Sequence, residues 1–181
     1  LGDVDPLTAR VYRDWILDSM IHELNAVRGL LGDPTRVSYA RIRESGITAV
    51  LQFGDVECVA TWTDLPGMAR YRQTWEFDGV ARRAKVELPS PFLRSAPTLL
   101  TFEDGAAGSG ASSETVHTPG YDEAFKRELR ELHAAITEGR QPRTPGEDAV
   151  RDLALSTAIV TAHVEGRPVD DPMTHTREGI A

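Results

Sequence analysis

RVSYARIRESGITAVLQFGDVECVATWT, residues 36–63, decides the fold class. Its apolar and polar residues keep a period near two, and VSYARIR, ITAVLQF and VECVATWT each read as a strand. Between them stand Glu44-Ser45-Gly46 and Phe53-Gly54-Asp55, both hairpin-type breakers. The pattern continues outward through RYRQTWEF, ARRAKVEL, PTLLTFED and SETVHTP, with Asp64-Leu65-Pro66-Gly67 and Asp78-Gly79 as further breakers. A parallel crossover needs about a dozen residues or more between strands. Such connections are absent from Arg36 to Thr118, so the strands read as an antiparallel meander. In RYRQTWEF, Tyr71, Gln73, Trp75 and Phe77 share one face and Arg70, Arg72, Thr74 and Glu76 the other.

On either side of the strands the period changes to that of a helix. In VYRDWILDSMIHELNAVRGLLGDP, residues 11–34, the apolar set is Val11, Ile16, Leu17, Met20, Ile21, Leu24, Val27 and Leu31. Gly32 and Asp33-Pro34 form a stop signal, so a helix is expected from about Thr8 to Leu31. After the strands, Phe125, Leu129, Leu132 and Ile136 mark a second helix, ended by Gly139 and Pro142. A third is expected from Thr144, read as N-cap, with Pro145 at the first position and Glu147 three residues on. Grouped strands flanked by helices imply an α+β fold, an open and mainly antiparallel sheet of about six strands with helices on one face. Residues 1–169 read as a single domain, and 170–181 as a polar, loosely held tail. The other sheet face must be solvated or covered by another domain or subunit.

Composition narrows the function classes. The chain has 181 residues, 40% apolar and 27% charged, with a net charge of −8. That balance disfavours nucleic acid or an anionic membrane as partner. No apolar run approaches the roughly 20 residues that span a bilayer, and no signal-peptide pattern is present, so a cytoplasmic location is expected. The chain begins at Leu1, which reads as part of a longer protein. Lys85 and Lys126 are its only lysines, and neither is near residues 18–25 in sequence. The single Cys58 excludes an intramolecular disulfide and reads as a buried thiol. GAAGSGASS, residues 105–113, superficially resembles a phosphate loop. It lacks the dinucleotide spacing, and a strand rather than a helix follows, so it reads as a flexible hairpin tip.

The chemistry concentrates in DSMIHELN, residues 18–25. On a regular helix Asp14, Asp18, His22 and Asn25 form one polar stripe within roughly 80 degrees. Asp18 and His22, at i and i+4, are neighbours. A carboxylate beside an imidazole stabilises its cation and fixes its tautomer, as a general base acting on a hydroxyl requires. The same spacing is also common on solvated helix faces, where it contributes little. A zinc motif is excluded because Ala26 stands where H-E-x-x-H needs its second His. His117, His133, His163 and His175 have weaker cases: a strand end, a largely apolar helix face, a helix end and the tail.

DSMIHELNAVRGLLG resembles the substrate-site helix of the Gfo/Idh/MocA family of NAD(P)-dependent oxidoreductases, most of all its inositol dehydrogenase-like branch with a D-x-x-x-H-E-[ILF]-D pattern. GYDEAFKRELRELHAAITEGRQPRTPGEDAVRDLALSTAIVTAHVEGRPV is similar to the family's two closing helices, so the resemblance runs from about Tyr12 to Val169. It implies a substrate-binding and catalytic carboxy-terminal domain of a sugar or polyol dehydrogenase, oxidising a secondary alcohol to a ketone. His22 would take the hydroxyl proton, Asp18 would orient it, and Asn25 and Asp14 would contact substrate. NAD or NADP would be bound mainly by a Rossmann domain, which also supplies a Glu-Lys-Pro lysine. Neither the Gly-rich fingerprint nor Glu-Lys-Pro occurs in this chain, so the fragment alone is expected to bind no cofactor and to be inactive. A homo-oligomer through the open sheet face is implied. Asn25 departs from the family's Asp. The alternative is a non-catalytic binding or oligomerisation module with a vestigial Asp-His pair.

Overall fold

A computed structural model describes residues 2–106, 110–120 and 122–174. In chain order the elements are α1 (Pro6–Val11), a wide-turn helical segment (Tyr12–Met20), α2 (Ile21–Leu31), β1 (Arg36–Arg43), β2 (Gly46–Phe53) and β3 (Val56–Thr63). There follow β4 (Gln73–Asp78), β5 (Arg82–Leu88), β6 (Leu99–Gly105), β7 (Ser112–His117), α3 (Ala124–Glu138), α4 (Gly146–Glu165) and β8 (Val169–Asp170). The chain divides into two compact units, residues 2–65 with 144–174, and residues 66–143. This division is finer than the single domain read over residues 1–169.

The class is α+β, with antiparallel sheets and helices as expected, but the strands form two four-stranded sheets, ordered β3-β2-β1-β8 and β4-β5-β6-β7. The break between the sheets falls at residues 64–72. β3 ends at Thr63 and β4 starts at Gln73, and the two strands do not pair. Residues 106–111 join neighbouring antiparallel strands, Gly105 opposite Ser112, which is a hairpin connection. Residues 107–109 of that tip, with His175 and the rest of the tail, lie outside the described residues. The tail is held further than expected, since Val169 and Asp170 pair with Val37 and Arg36, and Pro172 is buried.

The first unit has the core. In β2, Ile47, Ala49, Leu51 and Phe53 all point inward, the period of two expected of a half-covered sheet. In β1 the buried residues are Val37, Ala40 and Ile42, an odd step that strict alternation forbids. A bulge between Val37 and Tyr39 absorbs Ser38 and restores the phase. Cys58, Ala60 and Trp62 of β3 continue the same face. Against it lie the buried Leu155, Ile159, Val160 and Ala162 of α4 and Val11, Ile16, Met20 and Leu24 of the first helical run. Gly46 is required where β2 begins, since a Cβ there would run into the Trp62 carbonyl oxygen.

The first helical run starts earlier than expected. Asp5 caps it, accepting from Leu7 N at 3.0 Å and Thr8 N at 3.1 Å. Those bonds hold the Asp5 carboxyl below its ordinary titration range, the Thr8 hydroxyl contributing most. The run stays helical to Leu31 and stops at Gly32, whose φ of 82° favours glycine. Its middle is not an ordinary α-helix: through Tyr12–Met20 the turns widen, and Ile21 N–H reaches back to Ile16 O. The buried positions show the same change, stepping by five from Val11 to Ile16 and then by four to Met20 and Leu24. α4 starts later than expected: Pro145, not Thr144, is its N-cap, and Asp148 N donates to Pro145 O.

The second unit is built differently. None of its described residues is buried. Trp75 pairs with Val86 and Phe77 with Ala84, while Leu100 and Phe102 extend that face across β6. α3 has the spacing of an amphipathic helix, yet Leu129 and Ile136 are 66% and 72% exposed.

Candidate active site

The helical run puts Ile16, Met20 and Leu24 into the core, and so turns Asp14, Asp18 and His22 outward. Asp14, Asp18 and His22 are exposed and Asn25 is half-buried. Asp18 ends in the wide-turn segment and His22 in α2, so the step between them spans the change of helical pitch. Among the described residues no hydrogen bond joins the two side chains. Asp14 is paired with Arg13 at 2.6 Å, and that guanidinium holds its carboxyl below the usual range.

Beside this stripe stands an aromatic wall. Trp15 stacks on Trp62 with centroids 4.6 Å apart, and Arg10 lies over Trp15 at 5.7 Å. Trp62 Nε1 donates to Ser19 Oγ at 3.1 Å. These contacts fasten the wide-turn segment to the edge strand β3, and the sequence alone did not single them out.

Asn25 faces inward to α4. Its amide nitrogen donates to Asp148 Oδ2 at 2.7 Å and to Asp152 Oδ2 at 2.8 Å. One turn on, Arg28 donates to Asp33 at 2.9 Å, to Asp148 at 2.8 Å and to Asp152. Arg151 pairs with Asp33 from α4. The expected substrate contact at Asn25 therefore meets an amide whose nitrogen is already engaged. The sequence signal for this cluster was an arginine following Leu24 by one turn, on the apolar side of α2.

The remaining candidates lie elsewhere. Lys85, in an ion pair with Glu87 at 3.3 Å, and Lys126 both belong to residues 66–143. Cys58 is half-buried, and burial pushes its thiol above the ordinary range, away from reactivity. His117 meets Phe102 edge-on at 5.8 Å, and His133 is exposed on α3. His163 has a buried Nδ1 without a hydrogen-bond partner. Partial burial lowers its titration range, Arg41 adds to this, and Asp5 opposes it. Among the described residues no group of His, Cys, Asp or Glu is placed to hold a metal ion, and no helix is long and apolar enough to cross a membrane. Hollows of about 460 and 420 Å³ lie along α3 and on the charged face of β4 to β7, and neither is lined by Asp18 or His22.

No protein-family model matches the chain, and no curated protein sequence matches it. Solved structures do. A candidate NADPH-dependent oxidoreductase from Desulfitobacterium hafniense superposes with a TM-score of 0.74 at 14% identity, over 97% of this chain and 53% of its own. The oxidoreductase candidate YvaA from Bacillus subtilis gives 0.65 at 12% identity, over 94% and 55%. KijD10, a 3-ketoreductase from Actinomadura kijaniata solved with TDP-benzene and NADP, gives 0.59 at 20% identity, over 83% and 46%. The chain has the fold of one half of these oxidoreductase chains. It spans about half their length. At these identities the likeness concerns fold, and the activity of the whole protein is a proposal.

Proposed function

We propose that this chain is the substrate-binding and catalytic half of an NAD(P)-dependent oxidoreductase of Gfo/Idh/MocA type, acting on a secondary alcohol of a sugar or polyol. The observation that carries the reading is the fold shared with half of several oxidoreductase chains, with an outward Asp18 and His22 on its first helical run. His22 is the general base that takes the hydroxyl proton. Asp18 supplies the negative charge that stabilises the imidazole cation, and Asp14 adds a polar contact for a neighbouring hydroxyl. The exposure of both groups supports this role, since a base must be reached by substrate.

A bound nicotinamide supplies the hydride acceptor. This chain's residues do not fit that group: the Gly-rich stretch joins two antiparallel strands and opens no helix, so no hydride step is assigned to it. The dinucleotide belongs to a second domain, the protein is cytoplasmic, and copies associate through the outer sheet face, where Tyr39, Val50 and Val59 form an apolar row. The test is to assay the parent protein on a sugar and inositol panel with NAD and NADP, native and with His22→Ala. A drop of about 10²- to 10⁴-fold in kcat is expected for the loss of a general base. Undiminished turnover would remove the assignment. A second reading, an interaction module with a vestigial pair, is favoured by one observation, the absence of buried residues in the described part of the second unit.

A further inference from the structure

The geometry points to Asn25 as a positioning residue for His22, a neutral donor that α4 demands, and not as a substrate ligand. The inference rests on the reading of His22 as the base. His22 and Asn25 are three apart on α2, one turn of helix. The His22 side chain is exposed and makes no hydrogen bond of its own among the described residues, so its direction follows the rotation of α2 about its axis. Asn25 helps to fix that rotation, with the buried Leu24 beside it, because its amide nitrogen reaches two carboxylates on α4 over a sequence separation of more than 120 residues. Arg28 repeats the same connection one turn later.

The cluster also explains the departure from the H-E-[ILF]-D pattern. A carboxylate at position 25 would face Asp148 and Asp152 with no proton to donate. The charged groups around it are Arg28 from α2, Asp33 from the following turn, and Asp148, Arg151 and Asp152 from α4. Arg28 and Arg151 are already used by the three carboxylates. An added Asp would be left with like charges, which raise its titration point. A folded-state value above the unfolded value of about 3.9 means that the folded chain holds the extra proton longer. The variant's stability therefore falls as pH rises from about 4 and levels off above the raised value.

The experiment uses the 181-residue chain with Asn25→Asp, Asn25→Ala and the double change Asn25→Asp with Asp148→Asn. Unfolding by urea is followed from pH 3.5 to 8, and the His22 imidazole is titrated by NMR, assigned by comparison with His22→Gln. Asn25→Asp is expected to lose stability relative to the native chain as pH rises, about tenfold in the folding equilibrium for each unit of raised pKa. The double change, which restores a donor, regains part of that loss. Asn25→Ala folds, and its His22 resonances and titration midpoint move by about threefold in proton affinity or more, as a reoriented imidazole meets a different field. Equal pH dependence in Asn25→Asp and the native chain would overturn the donor requirement. A His22 titration unchanged in Asn25→Ala would overturn the positioning role, whatever the loss of stability. Both results are independent of turnover, so a failure of the base assignment itself would show only in the activity of His22→Ala.

Discussion

Replacing Arg28 by leucine tests one of the two buried charged residues among the described residues. The Arg28 and Asp152 side chains are 4% and 7% exposed. Asp33 and Asp148, the other partners, are 22% and 27% exposed. Without the guanidinium, Asp152 keeps only the Asn25 amide, at 2.8 Å, while remaining out of water. Removing one member of a buried pair costs about 3–5 kcal/mol, because it strands the other charge. Asp33 retains Arg151 and Asp148 is partly hydrated, so these two add little and the lower end applies, about 3 kcal/mol. The assay is urea unfolding read by tryptophan fluorescence, since Trp15 and Trp62 both pack against this core. Arg28→Leu combined with Asp152→Leu should recover most of the loss, because an apolar pair of similar size carries no stranded charge. A loss below about 1 kcal/mol for the single change would refute the claim that the cluster joins α2 to α4.

Other outcomes follow from the same structure. Ile159→Ala, at a fully buried α4 position, should cost about 2–5 kcal/mol by urea unfolding. Gly46→Ala should destabilise by more than about 1 kcal/mol and shift amide resonances of both β2 and β3, because the added Cβ displaces the Trp62 carbonyl. Ser19→Ala should leave the Trp62 indole N–H without its acceptor and speed its hydrogen exchange. For His163 the folded state favours the neutral ring, so its titration point lies below that of the unfolded chain. The folded chain then binds fewer protons, and the contribution present above about pH 6.5 is lost as pH falls from there through the lower folded value. His163→Gln should flatten this part of the stability profile, measured by thermal unfolding between pH 5.5 and 8.

Much of the architecture was legible locally. Strands β1 to β7 coincide with alternating runs, and their breakers mark the turns, because period and turn chemistry are carried by neighbours in sequence. The division into two sheets was less visible: residues 64–72 carry breakers as the true hairpins do, and only pairing shows that the chain leaves the sheet there. The wide turn of Tyr12–Met20 was hidden for another reason. A wheel of fixed angle fits Leu17 and Ile21 to the apolar side, whereas the step of five from Val11 to Ile16 places both at partly exposed positions. The bulge at Ser38 kept β1 in phase without disturbing its apolar content. At the candidate site, Asp18 and His22 were visible by spacing. The partners of Asn25 and Arg28 were not, since Asp148 and Asp152 lie more than 115 residues away.

The measurement that bears most directly on the central claim is single-turnover oxidation of the preferred polyol by the parent protein, native against His22→Ala, with reduced nicotinamide followed by absorbance. Proton removal by His22 predicts a fall of about 10²-fold or more in the rate of the chemical step, with substrate affinity changed far less. An unchanged rate, or no nicotinamide-dependent turnover with any alcohol of the panel, would contradict it.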